Sequence, residues 1–153
     1  MCIRDRIIGR QNIEKYKSNL GTMKTKNAVK ESEKVISAFE VKTPGTSTLA
    51  TALSGGNQQK FVVGRELEDD PSLLIASQPT RGIDIGAQAL IWEKLRKSRD
   101  EGLSVLLISA DLEELIGLSD RIIVFYQGKL VKELDAKNVT PEDLGGYMTG
   151  LKK

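Results

Sequence analysis

The residue types best suited to chemistry stand together in Leu53-Ser54-Gly55-Gly56-Asn57-Gln58-Gln59-Lys60. The stretch predicts a helix running from the serine through Phe61, Val62, Val63 and Leu67 to Pro71. Ser54 is expected at the N-cap, and Gly55 and Gly56 would leave the first-turn amides uncovered by side chains. Free N–H groups at the positive end of a helix suit an anion, most naturally a phosphate. The plain alternative is a Ser-capped helix after a glycine turn, with no ligand. A second group, Ser77-Gln78 with Ser109-Ala110, follows two short apolar runs. If those runs are strands of an open α/β sheet, the group lies where such sheets bind ligands, beyond the strands' carboxyl ends.

The elements that must position these residues can be read in order. Asn27 to Glu40 predicts a helix with Val29, Ile36 and Phe39 on one face. Thr43-Pro44-Gly45-Thr46-Ser47 reads as a loop. Pro71-Ser72 breaks the chain, and Leu73-Leu74-Ile75-Ala76, apolar without alternation, predicts a strand covered on both faces. Ala87 to Asp100 reads as a helix burying Leu90, Ile91 and Leu95 and closed by Gly102. Val105 to Ile108 predicts a second buried strand, and Asp111 to Leu118 a short helix. Alternating strand and helix argue for an α/β fold with a parallel sheet. Ile122–Tyr126 and Lys129–Leu134 around Gln127-Gly128 predict a hairpin at the sheet's edge, and Pro141 sits at a tolerated first-turn position of a last helix.

Composition narrows the classes. The chain has 153 residues, 39% apolar and 29% charged, and a net charge of +2. That balance gives no field suited to nucleic acid. Lys15, Lys17, Lys24, Lys26, Lys30 and Lys34 alternate with Glu14, Glu31 and Glu33 and read as a solvated face. Histidine is absent, which removes His-based metal sites and triads, and no run approaches the roughly 18 apolar residues of a membrane span. The one cysteine, Cys2, fits a reducing, cytosolic setting. It lies in Met1-Cys2-Ile3-Arg4-Asp5-Arg6, which resembles a translated sequencing adapter, so residues 1–6 are expected to be an artefact before a missing true beginning.

The octapeptide resembles the signature motif of ABC-transporter ATPases, in the form found in importers of simple sugars and nucleosides. Three further stretches agree in order and spacing between Val41 and Leu134. Leu74-Ile75-Ala76-Ser77-Gln78-Pro79-Thr80 resembles the Walker B strand, Arg81-Gly82-Ile83-Asp84 the D-loop, and Leu107 to Glu114 the switch strand. The resemblance implies a partial P-loop NTPase-like ATPase domain. Its expected parts are a helical subdomain remnant at 7–52, a core at 53–136 and a terminal helix and tail at 137–153.

Departures from the family pattern lie at one site. Ser77 stands where the family has the Mg²⁺-holding aspartate and offers no charge to a hard cation. Gln78 replaces the water-polarising glutamate and accepts no proton at neutral pH. Ala110 replaces the switch histidine and has no polar side-chain atom. No G-x-x-x-x-G-K-[ST] occurs, which fits a truncated front end. The resemblance therefore implies a second, degenerate domain that hydrolyses no ATP alone. Ser54, Gly55, Gly56, Asn57 and Gln58 would face ATP and Mg²⁺ held by a complete partner domain, fused upstream, with Asp84 ordering the partner's groups.

It also implies membrane permease subunits, a substrate-binding protein and a place on the inner face of the bacterial plasma membrane. The wording Ile75-Ala76-Ser77-Gln78-Pro79 resembles the nucleoside branch more than the ribose or galactose branch. Competing expectations are an ABC module of translation or DNA repair, and a purely structural dimer scaffold.

Overall fold

Helix α1 (Thr25–Ala38) buries Ala28, Glu31, Ser32 and Val35, a three-to-four spacing that puts one stripe inward. The computed structural model that shows this describes residues 7–10, 12–18, 21–68 and 70–152, so the opening hexapeptide with Cys2 lies outside the described residues. The inward stripe differs from the expected one. Val29 and Ile36 are only half-buried, because Ala28 and Val35 take the inner face together with Phe39 just past the helix end. Glu40 closes α1 in the left-handed region at φ 50°, and the Val41 amide reaches back to the Ile36 carbonyl at 2.9 Å.

Helix α2 (Gly55–Leu67) stops at Leu67, short of Pro71, and α3 (Ile85–Asp100) starts two residues before the expected Ala87. Ala87, Ile91 and Leu95 are its buried residues, with Leu90 at the margin. Asp84 caps α3 by accepting the Ala87 amide at 2.9 Å, and Gly102 at φ 106° closes it. These helices belong to the first of two compact units, Met1–Leu74 with Thr80–Leu103.

Strand β1 (Leu73–Ser77) pairs with β2 (Ser104–Ile108) in a two-stranded parallel sheet, joined through α3. The expectation of cover on both faces fails. Leu73 and Ile75 on β1, and Leu106 and Ile108 on β2, are each about half exposed or more, while Ala76 is buried. The sequence is apolar throughout, but the burial alternates, since described residues cover one face only.

Residues Ile75–Pro79 and Ser104–Lys153 form the second unit. Its core joins Leu115 of α4 (Leu112–Leu118), Ile122 and Val124 of β3 (Arg121–Tyr126), Ala136, and Leu144 of α5 (Pro141–Met148). The hairpin of β3 with β4 (Lys129–Asp135) is a two-stranded antiparallel sheet of its own, rather than the expected edge of the parallel sheet. Gln127 at φ 49° and Gly128 at φ 76° make the tight turn whose twist suits the strands. The register slips between Val124 and Phe125, leaving Val131 as the extra residue and turning it toward the core.

Two packing features of the first unit generate predictions. At Gly64 on α2 a β-carbon would fall 2.6 Å from Phe39 Cδ2 and 2.8 Å from Val35 Cγ1. The α1–α2 contact is thus set by the missing side chain. Gly64→Ala is expected to destabilise the chain by about 1–3 kcal/mol despite its better helix propensity, as read from urea unfolding. Glu31, 5% exposed, accepts from Lys34 Nζ at 3.1 Å and pairs with Lys15 Nζ at 2.9 Å. Burial pushes its carboxyl up, but the two lysines outweigh that and hold it down at about 2. A depressed carboxylate stabilises fully above its unfolded value of 4.5 and loses that contribution as pH falls toward 2. Because both lysines are half exposed, Glu31→Gln should lower stability by about 1–3 kcal/mol at pH 7, and by less at pH 3.

Candidate functional site

The signature stretch occupies the N-terminal turn of α2. Ser54 has the extended backbone of an N-cap residue, φ −61° and ψ 156°, but its hydroxyl caps no amide, contrary to expectation. Its Oγ instead accepts from Asn57 Nδ2 at 2.9 Å. Asn57 is fixed in turn, because its Oδ1 takes the Lys42 amide at 2.8 Å. A hydroxyl that accepts from one neighbour still has its own hydrogen to donate. Gln58 folds its side-chain amide back to the Leu53 carbonyl at 2.9 Å. Ser54 and Gly55 are exposed and Gly56 is buried. The first-turn amides of α2 therefore carry no side-chain cap at the positive end of a thirteen-residue helix.

The D-loop lies against this turn within the same unit. A β-carbon on Gly56 would fall 2.9 Å from Asp84 Oδ2 and 3.1 Å from the Ala87 β-carbon. One on Gly55 would lie 3.8 Å from the Gly82 carbonyl. The Ala87 amide, aided by the amides of Asp84 and Gly86 and by the Lys60 charge, holds the Asp84 carboxyl below the usual aspartate range against a smaller effect of desolvation. Asp84 is thus a fixed anion beside the signature. Sequence reasoning placed Asp84 in the D-loop but missed its contact with Gly56, since nothing in the spacing of the two motifs encodes it.

In the second unit the parallel pairing brings the other predicted residues together. The Gln78 amide donates to the Ile108 carbonyl at 2.7 Å, which sets Ser77-Gln78 beside the end of β2 that leads to Ser109-Ala110. Ser77 and Ala110 are exposed, and Gln78 is half-buried. Gln78 holds φ at 50°, a left-handed conformation that costs a non-glycine residue on the order of 1 kcal/mol. The adjacent acid, Asp111, is committed elsewhere. Its Oδ1 accepts the amides of Glu113 at 2.9 Å and Glu114 at 3.1 Å to cap α4. Among the described residues no three His, Cys, Asp or Glu side chains are grouped to hold a metal ion. What this sheet end offers is a hydroxyl, an amide and a methyl group, a set able to hydrogen-bond but with no carboxylate at these positions.

Known proteins resemble the chain along nearly its whole length, although no protein-family model matches it. It is 42% identical to the guanosine import ATP-binding protein NupO of Bacillus subtilis over 97% of its residues, which is 29% of that protein. It is 48% identical to the glucose import ATP-binding protein TsgD13 of Haloferax volcanii over 77% of its residues, 22% of that protein. The nucleoside import ATP-binding protein NupA of Lactococcus lactis subsp. cremoris is 45% identical over 73% of the chain and 22% of its own length. The chain thus spans less than a third of these relatives. Among solved structures, a putative metal-chelate type ABC transporter in an inward-facing conformation matches with a TM-score of 0.75 at 13% identity. That match covers 97% of this chain and 57% of the other. A dimeric ATP-binding cassette in a post-hydrolysis state with ADP and Pi matches with a TM-score of 0.66 at 24% identity, over 78% of this chain and 51% of that one. Those structures share its fold. The chain belongs to the ABC ATPase family, and its relatives there are the ATP-binding proteins of sugar and nucleoside import.

Proposed function

We propose that this chain is the carboxyl-terminal part of a second, degenerate ATPase domain in an importer of nucleosides or simple sugars. Its α2 turn caps ATP held by a complete partner domain, while its own sheet end performs no hydrolysis. The observation that carries this reading is the contrast between the two places. Ser54, Gly55 and Gly56 present an uncapped, partly exposed helix end, and Ser77, Gln78 and Ala110 present no charge. The half-exposed apolar faces of β1 and β2 support it too, as they suit strands covered by further segments of a longer protein.

The donor set fits a terminal phosphate. Asn57 fixes the Ser54 oxygen and leaves its hydrogen free to point outward. The amides of Gly55 and Gly56 stand ready without reorganisation, which is what makes such donors effective toward developing phosphoryl charge. Bound ATP supplies the phosphoryl group and the free energy of its hydrolysis. Gln58 reaches the phosphate after releasing the Leu53 carbonyl, and Asp84 orders groups of the partner domain. Mg²⁺ would be held in the partner's site, since Ser77 offers it no carboxylate.

In this reading residues 7–52 are the remnant of a helical subdomain, 53–136 the ATPase core and 137–153 its terminal helix and tail. The partner domain is fused upstream. Permease subunits and a substrate-binding protein complete the importer, placing the chain against the inner face of the bacterial plasma membrane. No described helix is long and apolar enough to cross the membrane itself. A net charge of +2 gives no reason to add nucleic acid as a partner.

Two substitutions in the complete importer test the division of labour. Ser54→Arg should lower transport by about 100-fold or more, the scale of losing preorganised donors to transition-state charge. Gln78→Ala should leave transport within about twofold, because it removes no group that completes the reaction. Near-normal transport with Ser54→Arg would contradict the role of α2, and a large loss with Gln78→Ala would show the sheet end still working.

A further inference from the structure

We propose that Asp84 is a positioning residue that clasps the signature helix to the D-loop of its own chain, one carboxylate serving the N-terminal ends of α2 and α3 together. The inference rests on the reading of α2 as a phosphate-capping helix only for its functional consequence. The clasp itself stands on geometry. Asp84 Oδ1 accepts the Ala87 amide at 2.9 Å, which fixes the carboxylate as the cap of α3. Its other oxygen, Oδ2, then lies where a β-carbon on Gly56 would come within 2.9 Å, with the Ala87 β-carbon 3.1 Å away on the same side.

Gly56 is not among the residues with positive φ, so its backbone conformation does not require glycine. The space taken by Asp84 and Ala87 does. Two helix ends converge here, and each carries a partial positive charge that would repel the other. A carboxylate between them offsets that repulsion, and the charge of Lys60, one turn along α2 from Gly56, also favours the carboxylate. Movement of the D-loop would therefore carry the first turn of α2 with it. A site closing on phosphate needs that coupling, because the capping donors and the D-loop must arrive together.

Amide hydrogen exchange in the complete importer ATPase tests the clasp, comparing Gly56→Ala, Asp84→Ser and the double variant. Gly56→Ala should speed exchange of the Ala87 amide on the other helix about tenfold, by pushing the Asp84 carboxylate off it. In the Asp84→Ser background, where the shorter cap leaves room, the same substitution should speed it about threefold or less. Equal fold-changes in the two backgrounds, or no response of the Ala87 amide, would overturn the proposal. Should Gly56→Ala unfold the chain, Asp84→Asn replaces it, since it keeps the shape and the cap acceptor and removes the charge. Exchange of the Gln58 amide at the start of α2 should then rise, and an unchanged rate would overturn the clasp. The two readings fail separately. Full transport with Ser54→Arg removes phosphate capping and leaves these rates as they are, whereas equal rates remove the clasp and leave phosphate capping standing.

Discussion

The first turn of α2 has amides that no described side chain caps, and the surrounding residues are arranged around that constraint. A hydroxyl at the N-cap would ordinarily fold onto the second or third amide and use up the site. Here Asn57 holds the Ser54 oxygen instead, and Asn57 is itself held by the Lys42 amide. The free amides are therefore maintained by a short relay of side-chain bonds. Gly55 and Gly56 keep the approach clear on one side and admit Asp84 on the other.

Support for this turn comes from close helix packing in the same unit. Gly64, two turns after Gly56, lets α2 meet α1 at Phe39 and Val35 with no side chain between. Lys94 of α3 lies over the Phe39 ring at 5.6 Å, so one aromatic side chain contacts all three helices. Arg10 reaches the far end of α2, donating to the Arg65 carbonyl and to Glu66, each at 3.0 Å. Both ends of α2 are thus set by specific contacts, and its first turn is presented on a fixed frame.

The order of helices and strands was legible in the sequence because apolar spacing and breakers such as Pro71, Gly102 and Gln127-Gly128 act locally. What was not legible depends on neighbours distant in sequence. Val29 and Ile36 are as apolar as the residues that α1 buries, yet the inner face went to Ala28 and Val35, with Glu31 buried beneath two lysines. The run Leu73 to Ala76 gave no hint that one face would be open, since local composition cannot tell which side another element covers. Residue type alone makes Ser54 a cap, and only the competing bond from Asn57 reverses that. The left-handed backbone of Gln78, directly after β1, is likewise not written in its residue type.

In the proposed function this chain lends its helix end to another domain's ATP and hydrolyses none at Ser77, Gln78 and Ala110. Vanadate trapping in the complete importer tests it most directly, by counting the ADP molecules retained per ATPase polypeptide after turnover. One trapped ADP, bound to the partner domain, is the predicted result. Two, with the second on the domain that carries Ser77 and Gln78, would contradict it.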